Sequence, residues 1–336
     1  LDLDRIDRDL FVARVANLWV PPGGRGVFGG QVVGQALHAA GLTVASDQAC
    51  HSFHGYFLHA GDPERDLVYR VERSSDRRSF SSRSVNVVQG GQIIFQANAS
   101  FCRGEDPGSS SSRVSHATPM PNVPPPEALP PHTDLLDKLL PALPARMHSV
   151  VHRLKAIPVD MRFVDPPNLL DPEPAPREPC QSVWMRVSQP LDDAPPYVHR
   201  ACAAYFSDHH LLVTSLRPHG YNFPSPRLGA VASLDHSMWF HLPRFRADDW
   251  MLYHMQSPWA GSGRGLAFGH IYEGATHKLA VTCAQEGVVR PARPSLRKSL
   301  AVAWLWGTYW WHRFKGRPRN TRDATPPDAG GGDGVA

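Results

Sequence analysis

The sequence predicts an α+β protein made of two similar halves, and three observations carry that prediction. A helical stretch with one strongly apolar face, Gln31 to Ala40, is followed by segments whose apolar residues alternate, the pattern of strands covering a core. A short string recurs: His51-Ser52-Phe53-His54-Gly55-Tyr56-Phe57 is echoed by His236-Ser237-Met238-Trp239-Phe240, and an apolar strand starts 42 residues after the first and 43 after the second. Between the halves, 17 of the 33 prolines crowd into residues 103 to 180. Proline lacks a backbone donor and fixes φ, so neither a sheet nor a long helix should run on through that stretch.

In chain order, Val32, Val33, Ala36, Leu37 and Ala40 share a helix face, with Gly41 as the expected stop. Tyr69, Val71 and Arg73 mark one strand and Arg83, Val85 and Val87 another. Gly90-Gly91 supplies a hairpin turn into the strand where Ile93, Phe95, Ala97, Ala99 and Phe101 alternate with Ile94, Gln96, Asn98, Ser100 and Cys102. Residues 103 to about 131, with the run Ser109 to Ser112, read as a linker. Thr133 is placed to cap a short helix carrying Leu135, Leu136, Leu139 and Leu140, which Pro141 should end. Val183 to Val187, Cys202 to Phe206 and Leu211 to Leu216 read as strands.

Composition bounds the function. At 336 residues, 42% hydrophobic and 20% charged, the chain is globular in type. No run reaches the roughly 18 apolar residues of a membrane-spanning helix, and the Asp/Arg-rich start is unlike a secretory signal, so a soluble intracellular body is expected. Because the sequence starts at Leu1, the natural start is expected upstream. The five cysteines are odd in number and contain no CxxC pair, which argues against a disulfide framework or structural zinc. Nine of the 35 Lys/Arg but three of the 31 Asp/Glu lie in residues 290–336, so the rest of the chain carries a net charge of −2. The basicity belongs to the tail, and the body lacks the footprint of a nucleic-acid binder.

Several motifs compete for the chemistry. Gly24-Arg25-Gly26-Val27-Phe28-Gly29 matches a dinucleotide fingerprint, but Pro21-Pro22 stand where a strand should end and the following segments resemble a meander, so the context argues against it. There is no GxSxG elbow, P-loop or HExxH. His51, His54 and His59 could ligate a metal or act as a base, but His51 and His54 should point to opposite faces of a strand, which leaves packing for at least one. Asp208, between two strand-like runs, reads as a turn residue or as a carboxylate at the lip of a pocket. Ser233 reads as a helix N-cap, and Gln285 as a polar residue in a strand, making a cross-strand hydrogen bond.

Five strings together resemble the acyl-CoA thioesterase II family, the TesB-like bacterial enzymes and their animal peroxisomal relatives: Val27 to Leu37, His51 to Glu64, Arg78 to Phe101, Ser233 to His241 and Thr282 to Arg290, with Met120 to Leu129 similar to the linker of the animal enzymes. The resemblance implies a double hotdog, two helices each wrapped by an antiparallel sheet, the sheets joined edge to edge. It implies division into residues 1–105, a linker with a helical segment at 106–178, a second hotdog carrying the catalytic residues at 179–290, and an atypical tail at 291–336. It places the catalytic set on Asp208, Ser233 and Gln285, with His51 as a second-tier candidate, and requires no metal or redox cofactor.

The residue types suit the chemistry. A thioester carbonyl has little resonance protection, so a positioned water can attack it without a covalent intermediate. Asp208 would take the proton, and Gln285 and Ser233 would fix the water. A helix N-terminus would stabilise the charge developing on oxygen. Gly29 and Gly30, ahead of the first helix, would let substrate approach the backbone closely.

The expected substrate is medium- to long-chain acyl-CoA, and a homo-oligomer is left open. The noncatalytic alternative is an acyl-CoA-binding hotdog protein, which would bind without releasing thiol. A hotdog dehydratase would call for a His/Asp pair, whereas Gln31 to Ala40 offers only His38. The family points to the peroxisome, but the chain continues about 46 residues beyond the family's last strand, through Trp304, Trp306, Trp310 and Trp311, and ends Gly334-Val335-Ala336 without a Ser-Lys-Leu type signal. A cytoplasmic location is therefore the alternative.

Overall fold

The computed structural model describes residues 1–22, 24, 26–103, 114–167, 171, 173–223, 225 and 227–292. The described residues fall within one compact unit, Leu1–Arg293, and the Trp-rich tail lies outside the described residues. The first half comprises β1 (Asp4–Asp7), β2 (Leu10–Ala13), α1 (Gly29–Gly41), β3 (Gln48–Phe57), β4 (Leu67–Asp76), β5 (Phe80–Gln89) and β6 (Gln92–Arg103). Then come α2 (His132–Asp137), α3 (His148–Lys155), β7 (Val159–Phe163), β8 (Cys180–Val187), α4 (Pro196–Ser207), β9 (Leu228–Ser233), β10 (Asp235–Phe240), β11 (Met251–Gly261), β12 (Arg264–Glu273) and β13 (Leu279–Pro291).

These strands form a single antiparallel sheet in the order β1-β2-β4-β5-β6-β3-β10-β13-β12-β11-β8-β7, with β9 pairing β13 off this path. Each half wraps one helix, α1 or α4, and the halves meet edge to edge where β3 pairs β10. This is the double hotdog that the family resemblance implies. The echoed strings are the two seam strands. Phe53 lies opposite Met238, with Ser52 facing Trp239 on one side and His54 facing Ser237 on the other, so equivalent residues are exchanged across the central pair.

The two helices pack backbone to backbone. A Cβ on Gly30 would overlap the Tyr205 carbonyl, and one on Gly34 would sit 2.9 Å from the Ala201 carbonyl. Rising numbers on α1 meet falling numbers on α4, so the pair is antiparallel and brings the start of α1 beside the end of α4. That juxtaposition builds the candidate site.

The alternating strands form as expected, and the departures have local causes. Phe95, Ala97, Ala99 and Phe101 are buried, but an irregularity between Val87 and Val88 changes the phase, so Ile94 is buried and Ile93 is 38% exposed. Arg83 occupies a core position with Val85 and Val87, and donates to Thr43 Oγ1 at 2.8 Å and to Asp76 Oδ1 at 2.6 Å. Gly90 and Gly91 both take positive φ in the β5–β6 turn. The first helix starts two residues before Gln31 and includes Gly41 instead of stopping before it. Thr133 does not cap a helix: α2 begins at His132 behind Pro131, ends at Asp137, and Pro141 falls in a separate 3-10 turn. Within the stretch expected as linker, Val159, Met161 and Phe163 alternate with Asp160 and Arg162 in β7, so the strands of the second half begin before residue 179.

Two strand expectations are corrected. Cys202 to Phe206 belongs to α4, and Leu211 to Leu216 mostly to the 3-10 helix Leu212–His219. Every residue from His199 to Ser207 is buried. A helix enclosed on all sides shows no polar phase, so its apolar run mimics a buried strand.

Candidate active site

Asp208 is the C-cap residue that follows α4, not a turn between strands. Its Oδ2 lies 2.8 Å from where a Cβ on Gly29 would stand, so the carboxylate faces the first turn of α1. A carboxylate at the C-terminus of its own helix sits at the negative end of that dipole, and the positive N-terminal end of α1 offsets this. Nothing larger than glycine fits at position 29 without moving Asp208 or the Phe57 ring, which lies 3.1 Å from the same point. The glycine at 30 serves helix packing instead: the space expected to admit a ligand is filled by the Tyr205 carbonyl.

Ser233 is the last residue of β9, and Asp235 already opens β10, so it caps no helix. Gln285 projects from β13 and is completely buried. It makes the cross-strand hydrogen bonds expected of a strand glutamine, to Ser233 on β9 and His236 on β10, and also reaches out of the sheet to Asp208. Gln285 Nε2 donates to Asp208 Oδ1 at 2.5 Å and to Ser233 Oγ at 2.9 Å, and Ser233 Oγ lies 3.5 Å from the same carboxylate oxygen. Three residues separated by 25 and 52 positions thus share one cluster, with Asp208 and Ser233 half-exposed at its edge.

His51 is elsewhere. The expectation that His51 and His54 take opposite faces fails because β3 is irregular between Cys50 and Ser52. Cys50 and Phe53 both bury, which leaves His51, Ser52 and His54 on the outer side. His51 Nε2 pairs with Ser100 Oγ at 2.8 Å and its ring meets Phe80 edge-on, while His54 pairs with Ser237. His38 is bonded to the Leu1 carbonyl and stacked on Tyr197, with no catalytic acid beside it on its helix.

The imidazole that does reach the site is His236, the counterpart of His51 in the echoed string. β10 pairs regularly with β3, so His236 keeps the core-facing phase that His51 loses, and it is fully buried. The echo itself was the available signal. His209 follows Asp208 directly and packs against Phe28 and Tyr205. The first turn of α1 therefore meets Asp208 in a shell of Phe28, Phe57, Tyr205 and His209, which sets apolar and aromatic side chains beside a polar cluster.

Burial sets the charge of the imidazoles around Asp208. It pushes His209 and His132 each down to about 4 and His210 to about 3, and it lowers His236 as well; the Asp208 carboxylate opposes the shift in His209 and His236, and neighbouring imidazoles add to it in His209 and His210. In the unfolded chain these groups titrate near 6.5. Between the two values the unfolded state binds more protons, so stability is intact above about pH 6.5 and is lost as pH falls towards 4. Thermal melting across that window should show a steadily falling midpoint; a flat profile would mean that these imidazoles are already protonated or exposed in the native state.

Residues 16–102 match the family described as acyl-CoA thioesterase N-terminal domain, and residues 126–289 the one described as acyl-CoA thioesterase C-terminal domain. Acyl-coenzyme A thioesterase 8 of Rattus norvegicus is 42% identical over 303 residues, covering 89% of this chain and 90% of its own. Acyl-CoA thioesterase 2 of Haemophilus influenzae is 34% identical, over 86% of this chain and 95% of its own. The crystal structure of acyl-CoA thioesterase II TesB2 from Mycobacterium marinum is 35% identical and superimposes with a TM-score of 0.64, over 88% and 97% of the two chains. The chain belongs to the acyl-CoA thioesterase family of thioester hydrolases.

Proposed function

We propose that this chain hydrolyses medium- to long-chain acyl-CoA to free fatty acid and CoA, by attack of a water held between Asp208, Ser233 and Gln285. The observation that carries the reading is the shared carboxylate oxygen: Gln285 donates to it at 2.5 Å, and Ser233 lies at its edge. Asp208 takes a proton from the water as it attacks the thioester carbon. The Gln285 amide, held rigid by burial, and the Ser233 hydroxyl keep the carboxylate and the water aligned, which turns a loose encounter into an oriented step. Electrons move from the water oxygen to the carbonyl carbon and then onto the thiolate sulfur as the C–S bond breaks. The proton held by Asp208 can return to that thiolate. The start of α1, at Gly29, offers backbone N–H groups beside the reacting centre for the charge on the carbonyl oxygen.

Purified protein given palmitoyl-CoA should release one free thiol per fatty acid formed, and tight binding without thiol release would move the chain to the noncatalytic alternative. A role in peroxisomal fatty-acid metabolism follows from the family resemblance. It is tested by locating the full chain with a tag at its N-terminal end; a purely cytoplasmic signal would assign it there.

A further inference from the structure

We infer that His236 is a positioning residue that fixes which way round the Gln285 amide points. The inference rests on the reading of Asp208, Ser233 and Gln285 as the water-holding set and adds a residue to it. His236 is fully buried on β10 and touches two partners through its two ring nitrogens: Nδ1 lies 3.1 Å from Gln285 Nε2, and Nε2 lies 2.8 Å from Ser207 Oγ.

The hydrogen assignment along this chain of contacts is forced. The Asp208 carboxylate can only accept, so the amide presents its NH2 group to it and not its oxygen. An NH2 group cannot accept, so His236 Nδ1 facing it must be the unprotonated, accepting nitrogen, and the ring proton sits on Nε2. That proton is donated to Ser207 Oγ, whose own hydrogen goes to the Ala204 carbonyl at 2.9 Å, inside α4. The amide then has two hydrogens for three neighbours, so Ser233 Oγ shares one and keeps its own hydrogen free for Asp208 or the water. Gln285 Oε1 is buried without a partner, so no bond at that end of the amide opposes a flip. Ser233 Oγ can accept or donate, whereas His236 Nδ1 and Asp208 only accept and so hold the nitrogen in place; a flipped amide would put its oxygen against the carboxylate.

The same imidazole ties three elements together. Ser207 is the last residue of α4, next to Asp208, and the Tyr253 hydroxyl of β11 donates to its carbonyl at 2.7 Å. His236 thereby sets both the glutamine on β13 and the helix end that carries the carboxylate.

The test uses two amides that each imitate one ring nitrogen. His236→Asn places an oxygen near the Nδ1 position and can accept from Gln285; His236→Gln places its polar end near Nε2 and reaches Ser207 instead. The full chain is assayed with palmitoyl-CoA, with Asp208→Asn as a control. His236→Asn should retain most of the wild-type kcat, whereas His236→Gln and His236→Phe should lose about a hundredfold, the scale of a misaligned reacting group, with KM changed less than about twofold. Equal activity of the Asn and Gln variants, or a Phe variant as active as wild type, overturns the inference. If the His236 variants fail to fold, Ser207→Ala leaves the ring in place but removes the acceptor that fixes its proton. It should lower kcat by about tenfold, the scale of one lost hydrogen bond, and no change overturns the inference. An Asp208→Asn chain with wild-type activity would instead remove the underlying reading, whatever the His236 variants do.

Discussion

Asp208→Asn is expected to lower kcat by about a thousandfold, in the middle of the range for loss of a general base, with KM little changed. Asparagine keeps the size of the side chain and can present its carbonyl oxygen to Gln285 Nε2, where Asp208 Oδ1 now accepts. It cannot take a proton from water. The fold should persist, because Asp208 is a half-exposed helix end and no ion pair depends on it among the described residues. Steady-state kinetics beside a thermal melt separate the two effects. Loss of activity together with loss of the melting transition would show a structural role instead.

The two adjacent glycines at the start of α1 should answer the same substitution in opposite ways. A Cβ at Gly30 meets the Phe28 ring and the Tyr205 backbone carbonyl, and the carbonyl cannot retreat without parting the helices. Gly30→Ala should therefore cost about 1–3 kcal/mol of stability, outweighing the gain of about 1 kcal/mol that alanine brings to a helix. A Cβ at Gly29 would stand 2.8 Å from Asp208 Oδ2, at the end of a side chain that can turn aside. Gly29→Ala should keep the melting temperature and lose activity as the carboxylate is displaced. If both variants lose only stability, position 29 is a packing site like position 30.

The sequence shows its strands better than its helices because the two kinds of burial leave different marks. β6 has one face on the core and one on solvent, so Phe95, Ala97, Ala99 and Phe101 stand out against Gln96 and Asn98. In α4, Arg200 and Ser207 are as buried as Ala203, and nothing in the pattern separates helix from strand. The irregularity beside Cys50 is equally silent: pairing across β3 and β6 sets it, not the local string, and it alone decides that His51 faces away from the site. Asp208, Ser233 and Gln285 were legible only through resemblance, since each alone fits a bland role. His236 was visible as half of an echo, but its two partners lie 29 and 49 residues away and depend on the folded chain.

Close contacts account for two glycines of the dinucleotide-like string. Gly29 leaves room beside a carboxylate, and Gly26 lies against the Gly61 backbone, where a Cβ would stand 2.7 Å from the carbonyl oxygen. The element before α1 is the 3-10 turn Val15–Asn17, not a strand. A backbone contact calls for glycine at 26, and contact with a carboxylate does so at 29, so the two glycines have separate local causes.

Direct attack by water has a kinetic signature. In a rapid-quench single turnover with enzyme in excess over palmitoyl-CoA, CoA and fatty acid should appear together at one rate, with the protein mass unchanged at every time point. CoA released ahead of the acid, with an acyl group's mass added to the protein, would show that a side chain and not a held water attacks the thioester.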